Sequence, residues 1–261
     1  IMVRTRLLTL FTLLTLTVSL WASRVETKAV HSDAMNKDVN VSIVLPEAYG
    51  AHRLPVVYLL HGFSGDQSSW VRNSRCERYA NDRSIALIMP DAGNSFYTDM
   101  AYGEASYTYI TEEVFAHSHK LFRLSEKREA TFTAGLSMGG YGAFKIEPRN
   151  PKVYSPACSM AGCHCAHKYV CDPHRADLTR LIYGPGVTAA PDHDNLFFLA
   201  DKLLKSDLPR PRLLQLCGTE DYLYGQNKEF REYIKDKGFD YRYDECPGEH
   251  EWRLWDAWLP G

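Results

Sequence analysis

The chain has no excess of charge of either sign. Thirty Lys and Arg stand against 32 Asp and Glu, leaving −2 over 261 residues with His neutral. A protein that grips a phosphate backbone needs a basic stripe or patch, so no nucleic-acid partner is expected. No internal repeat or low-complexity stretch follows the N-terminal segment, and no linker divides the chain. With 45% hydrophobic and 24% charged residues the composition is that of a globular domain with a sizeable core, neither disordered nor collagen-like.

Long apolar runs are missing except at the N-terminus. Arg4 and Arg6 precede a Leu, Thr, Val and Phe run from Leu7 to Leu20, and the small residues Ala22 and Ser23 close it. This is the layout of a secretory signal. The 16 residues from Leu7 to Ala22 are few for a membrane-spanning helix. Residues 1–23 are therefore expected to be a cleaved signal peptide, with a retained anchor as the alternative. The mature chain, 24–261, is expected to be one secreted or periplasmic domain with no stable membrane anchor. Oligomeric state is not legible.

Cysteine is present in an odd number, seven, so at least one thiol lacks an intrachain partner. Cys158 and Cys217 sit in apolar strand-like runs and read as core. Cys163, Cys165 and Cys171 share the stretch Gly162–Asp194 with His164, His167 and His174. Export favours partial disulfide bonding of such cysteines; free thiols and a zinc site are the alternatives. No metal or cofactor is expected to take part in the chemistry.

Short apolar runs alternate with helical periodicity. Asp38–Leu45 alternates polar and apolar, as a half-exposed strand does. Pro55–Leu60, Ile85–Met89, Ala130–Ala134, Tyr154–Met160 and Arg212–Leu216 read as strands buried on both faces, and Tyr241–Tyr243 as a last short strand. Helical stretches are expected over Ser69–Arg83, Ser106–Leu121, Met138–Glu147 (stopping before Pro148), Asn195–Leu204, Gln226–Lys237 and Glu251–Trp258. This pattern predicts an α/β fold: a mainly parallel central sheet, helices on both faces, and an antiparallel N-terminal edge over 25–45. Gly162–Asp194 reads as an irregular insertion at the carboxyl end of the sheet, near the active site.

Gly135-Leu136-Ser137-Met138-Gly139 matches the G-x-S-x-G nucleophile elbow, a strand-to-helix turn that projects a serine hydroxyl above the sheet. Such a serine needs a general base and an acid to orient it. After residue 200 the sequence holds one histidine, His250, in a loop after the last strand; it is the expected base. Asp221 follows the strand Arg212–Leu216 and is the expected acid, with Glu220 the alternative. An oxyanion needs two backbone N–H donors. Met138 supplies one. The loop His61-Gly62-Phe63-Ser64-Gly65 supplies the other, with Phe63 the first choice and Ser64 the second. His61 itself reads as a structural residue that hydrogen-bonds the loop. Phe96, Tyr97, Tyr222 and Tyr224 are candidate walls of an acyl pocket.

The blocks LLHGFSGDQSSW, MPDAGNSFYTD, GLSMGGYGAFK, CGTEDYLY and GEHEWRLWD together resemble the esterase D / tributyrin esterase group of α/β-hydrolases. Related to that group are the feruloyl and acetylxylan esterases of carbohydrate esterase family 1, the S-formylglutathione hydrolases and the antigen 85 mycolyltransferases. The resemblance runs from about residue 25 to the end and departs from the family pattern over Gly162–Asp194. It implies an α/β-hydrolase fold, Ser137 as nucleophile, Asp221 as acid, His250 as base, and Phe63 and Met138 as oxyanion donors. The activity expected is that of a secreted serine esterase acting through an acyl-enzyme. Its substrate would be an ester linked to carbohydrate, feruloyl or acetyl esters of plant polysaccharides. An acyltransferase using the same acyl-enzyme and an S-formylglutathione hydrolase-like thioesterase are the alternatives, and a non-catalytic binding protein is disfavoured by the complete set of residues.

Overall fold

A computed structural model describes residues 24–260. The expected signal segment lies outside the described residues, and among these no helix is long and apolar enough to cross a membrane.

Eight strands form one sheet in the order β1-β2-β4-β3-β5-β6-β7-β8. They are β1 (Arg24–Ser32), β2 (Lys37–Leu45), β3 (Val56–Leu60), β4 (Ala86–Pro90), β5 (Thr131–Leu136), β6 (Ala157–Met160), β7 (Arg212–Gly218) and β8 (Asp240–Cys246). The pairs β1–β2 and β2–β4 are antiparallel and the rest parallel, which is the α/β-hydrolase arrangement. Side chains along a strand alternate between faces, so each continuous apolar run feeds two cores. In β3, Val56, Tyr58 and Leu60 enter one core while Leu59 enters the other. In β4, Ala86 and Ile88 take the first side, Leu87 and Met89 the second.

The helices differ from the sequence pattern in several places, and Ser106–Leu121 contains a π-helical stretch, Tyr109–Val114. Ser69–Arg83 is broken into Ser69–Asn73 and Cys76–Arg83. The break is stabilised by Ser74, whose hydroxyl donates to the Trp70 carbonyl. The helix after β5 does not stop before Pro148 but runs from Met138 to Arg149. A proline in a last turn removes one backbone donor, and here the Asn150 N–H closes the end by donating to the Ile146 and Glu147 carbonyls. The stretch Gly162–Asp194 is not irregular. It contains the helices Ala166–Val170 and Ala176–Tyr183 and two single 3₁₀ turns.

The end of that stretch is fixed to the helix Met138–Arg149 by a buried ion pair. Lys145 Nζ lies 2.6 Å from Asp194 Oδ1, with both side chains fully buried. The Thr98 hydroxyl donates to Asp194 Oδ2 at 2.9 Å and accepts from Lys145 at 2.6 Å, and the Tyr141 hydroxyl donates to the Asp194 carbonyl.

Glu147, on the same helix, is also fully buried, yet neither carboxylate oxygen has a hydrogen-bond partner. The nearest cation, Arg128, is 3.7 Å away, and two of its nitrogens are spent on the Pro151 and Arg210 carbonyls. Burial therefore outweighs the attraction of Arg128 and pushes the Glu147 carboxyl up to about 8. A folded-state value above the unfolded one makes the folded chain bind more protons across the interval, so stability falls as pH rises. The loss begins near the ordinary carboxylate value and is complete above about 8. Glu147→Gln should remove this dependence. Urea unfolding should find the variant more stable than wild type at pH 9, by on the order of a few kcal/mol, and close to it at pH 4. Parallel pH profiles of the two proteins would refute the assignment.

Candidate active site

The loops that follow β3, β5, β7 and β8 all leave the carboxyl end of the parallel sheet, where open α/β sheets bind ligands. They and the stretch after β6 surround a cavity of about 430 Å³, in the range of small-molecule sites. Its lining includes Ser137, Met138, Phe63, Phe96, Tyr222 and His250.

Ser137 sits between β5 and its helix with φ 54° and ψ −117°, a conformation that costs a non-glycine residue on the order of 1–3 kcal/mol. The surrounding structure holds it there. Its N–H donates to the Met160 carbonyl at 2.9 Å, and its own carbonyl accepts from the N–H groups of Cys163 and Tyr141, each at 3.1 Å. The glycines of the motif are sterically required. A Cβ on Gly135 would lie 2.5 Å from the Gly139 backbone, and one on Gly139 would lie 2.4 Å from the Leu60 carbonyl oxygen. β5, the elbow helix and the end of β3 approach one another only because neither residue has a side chain.

His250 and Asp221 meet directly. His250 Nδ1 is 2.7 Å from Asp221 Oδ2, and the Asp221 side chain is fully buried. The other oxygen, Oδ1, accepts from the Leu223 N–H at 2.7 Å. The carboxylate is thus held at both ends, and the imidazole proton is assigned to Nδ1. Ser137 and His250 line the same cavity without a direct hydrogen bond between them. In ligand-free enzymes such bonds are often long and tighten when substrate arrives. The Trp255 ring meets the imidazole edge-on at 4.8 Å, and Tyr222 lies 4.6 Å from it, with its hydroxyl turned toward Ser137.

Glu220 does not compete for the acid position. Its carboxylate accepts from the Gly248 N–H and from the Thr219 hydroxyl, away from the imidazole. Ser64 is likewise excluded as an oxyanion donor, because its N–H is committed to Asn94 Oδ1 at 2.7 Å. Met138 is the first residue of a 12-residue helix, where the opening N–H groups lack intrahelical acceptors and the helix dipole favours negative charge. The Phe63 N–H has no protein acceptor among the described residues. His61 is fully buried and bonds its own loop. Its Nε2 accepts from the Ala92 N–H at 3.0 Å, and Nδ1 lies 2.8 Å from the Gly62 carbonyl.

Two of the four aromatic residues expected in the pocket lie elsewhere. Tyr97 is completely buried below it. Its hydroxyl donates to the His61 carbonyl at 2.8 Å, and its ring lies so close to the elbow helix that a Cβ on Gly142 would come within 2.5 Å of it. It supports the Phe63 loop from underneath. Tyr224 begins the helix Tyr224–Ile234 and turns toward β8, where its hydroxyl donates to Glu245. The walls include instead Tyr169, Trp252 and Trp255, with Arg72 and Asn73 on the polar side. The spacing of Trp252 and Trp255, one helical turn apart and directly after His250, was the available signal for that pair. Nothing in the sequence marked Tyr169.

All seven cysteines are free thiols, contrary to the expected partial bridging. The close-spaced three face different surroundings. Cys163 lines the cavity, the Cys165 thiol points to Glu229, and Cys171 lies at the end of the helix Ala166–Val170. Zinc ligation fares no better. His164 is fully buried, hydrogen-bonded to Ser159 at 2.8 Å and stacked on Phe144, and burial holds its imidazole down to about 3. Among the described residues no three His, Cys, Asp or Glu side chains converge on a metal position.

A serine on a strand-to-helix elbow, beside a histidine backed by a buried aspartate and over a parallel sheet, defines the serine-hydrolase class of α/β proteins. Within that class the chain belongs to the Esterase family, whose model matches residues 32–197. It is 25% identical over 246 residues to an acetyl esterase of Caldicellulosiruptor saccharolyticus, covering 88% of this chain and 92% of that protein. Two solved Staphylococcus aureus structures are each 30% identical to it. The fluorophosphonate-binding serine hydrolase FphF superposes with a TM-score of 0.84 over 92% of this chain and 99% of its own. The S-formylglutathione hydrolase FrmB superposes with a TM-score of 0.77 over 91% and 94%. The protein is thus an esterase of the serine-hydrolase type.

Proposed function

We propose that the protein is an exported esterase that cleaves feruloyl or acetyl esters carried on plant polysaccharides. Ser137 attacks the ester carbonyl while His250 takes its proton. Asp221 keeps the imidazole in the tautomer that can do so and stabilises the imidazolium. The N–H groups of Phe63 and Met138 receive the oxyanion. His250 then protonates the leaving alcohol, and water, activated in the same way, releases the acid from the acyl-enzyme.

The observation that carries the substrate reading is the make-up of the cavity wall. Phe63, Phe96, Tyr169, Tyr222, Trp252 and Trp255 surround Ser137. Phe63 lies 5.8 Å from Phe96, and Phe96 lies 5.9 Å from Tyr169. A flat aromatic acid stacks on such walls, and a small acyl group is sheltered from water by them. The N-terminal apolar run supports export.

A second reading has its own support. Arg72 is the one permanently charged side chain in the wall; one of its nitrogens is paired with Asp66 at 3.3 Å, and the others suit a carboxylate of a glutathione thioester. Initial rates on methyl ferulate, acetylated xylan, p-nitrophenyl acetate and S-formylglutathione separate the two. The expected result is the highest kcat/KM on a feruloyl or acetyl oxygen ester. A preference of more than about tenfold for S-formylglutathione, which is about 1.4 kcal/mol of transition-state discrimination, would replace the first reading with the second. Product analysis with a sugar acceptor present tests transfer, since a transferase would pass the acyl group to the acceptor in place of water.

A further inference from the structure

We infer that Glu220 is a positioning residue that sets the aim of His250 by clasping the acid loop to the base loop. This rests on the roles proposed for Asp221 and His250. The sequence places Glu220 directly before Asp221, in the motif CGTEDYLY, and leaves it without a task once Asp221 takes the imidazole. The structure supplies one.

The two loops are joined by reciprocal bonds. The Glu220 N–H donates to the Gly248 carbonyl at 3.1 Å, and the Thr219 N–H donates to the Cys246 carbonyl at 3.0 Å. In the other direction, the Gly248 N–H donates to Glu220 Oε2. The Thr219 hydroxyl holds Oε1 at 2.8 Å, which fixes the carboxylate's orientation. Gly248 is thus bonded at both its N–H and its carbonyl to the residue next to Asp221, and it stands two positions before His250. The fit is close. A Cβ on Gly218 would lie 2.2 Å from the Gly248 carbonyl oxygen, and Gly248 itself, at φ +148°, packs against Leu254. Without the carboxylate, Gly248 loses its N–H acceptor and the loop carrying His250 is held through one face only. Displacing a general base by about 1 Å can cost on the order of 100-fold in rate. Glu220 is exposed and does not line the cavity, so the loss should fall on kcat and not on KM.

The test compares Glu220→Ala, Glu220→Met and Glu220→Gln on p-nitrophenyl acetate, with wild type and Ser137→Ala as references. Ala and Met remove the acceptor. Gln keeps an amide oxygen for the Gly248 N–H, and its NH₂ can donate to a rotated Thr219 hydroxyl. The Ala and Met variants should lose about 10- to 100-fold in kcat with KM within about twofold, and Gln should remain within about threefold of wild type. Wild-type kcat in Ala and Met, or equal impairment of Gln and Ala, would overturn the inference. Absence of Ser137-dependent turnover in wild type would instead overturn the esterase mechanism beneath it.

Discussion

Replacing Ser137 by Ala is expected to lower ester turnover by about 10⁴- to 10⁶-fold and leave the fold unchanged. The size of the effect follows from the elbow. The carbonyl and N–H of Ser137 are bound to Met160, Cys163 and Tyr141, so the backbone turn does not depend on the hydroxyl. Alanine tolerates the positive φ no worse than serine does. The substitution therefore deletes the attacking atom and little else. Initial rates on p-nitrophenyl acetate and thermal unfolding measure the two halves of the expectation. A fluorophosphonate probe adds a third readout, since phosphonylation of an activated serine shifts the intact mass and should vanish in the variant. A folded Ser137→Ala protein that keeps more than about a tenth of wild-type activity would remove Ser137 from the nucleophile position.

Much of this arrangement was legible because its signals are local. The continuous apolar runs at β3 and β4 are short and read as strands covered on both faces, and the glycines around Ser137 read as a close approach. Asp221 and His250 were found through chain order, each on a loop after a later strand. The parts that stayed hidden depend on three-dimensional packing. Tyr97 and Tyr224 are aromatic, near the right loops and of the right type, but one turns beneath the Phe63 loop and the other toward β8. Burial and a single hydrogen bond decide each case, and neither leaves a trace in sequence spacing. The helices of Gly162–Asp194 were hidden for another reason. They are short, five and eight residues, and are tied to each other by contacts such as the Thr179 hydroxyl donating to the Val170 carbonyl, not by a long amphipathic pattern. The cysteines of Gly162–Asp194 depart from the bridging that composition suggests, because Cys163, Cys165 and Cys171 face different surroundings. Sequence order leaves Glu220 a rival to Asp221, and the Gly248 bond that removes it from that role joins residues 28 positions apart.

Asp221→Asn should cost about 10⁴-fold in kcat, the loss that the same change produces in the serine-protease triad, with little change in KM or thermal midpoint. The surroundings of the carboxylate explain why so small a change is so damaging here. Oδ1 is fixed by the Leu223 N–H at 2.7 Å, so an asparagine keeps that bond with its carbonyl oxygen and must turn its NH₂ toward His250. An NH₂ group donates only. It forces Nδ1 of the imidazole to accept, moves the ring proton to Nε2, and leaves no lone pair there to take the proton of Ser137. The variant is thus well ordered and in the wrong tautomer. Asp221→Ala is a useful contrast, because it removes the orienting group without imposing the wrong tautomer. It should be less impaired than Asn, or equally impaired, but not more. Glu220 cannot substitute in either variant while its carboxylate is bound to Gly248. Steady-state kinetics on p-nitrophenyl acetate with both variants decides the matter. An Asn variant with more than about a tenth of wild-type kcat would mean that the hydrogen bond at 2.7 Å between Asp221 and His250 does not govern the reaction.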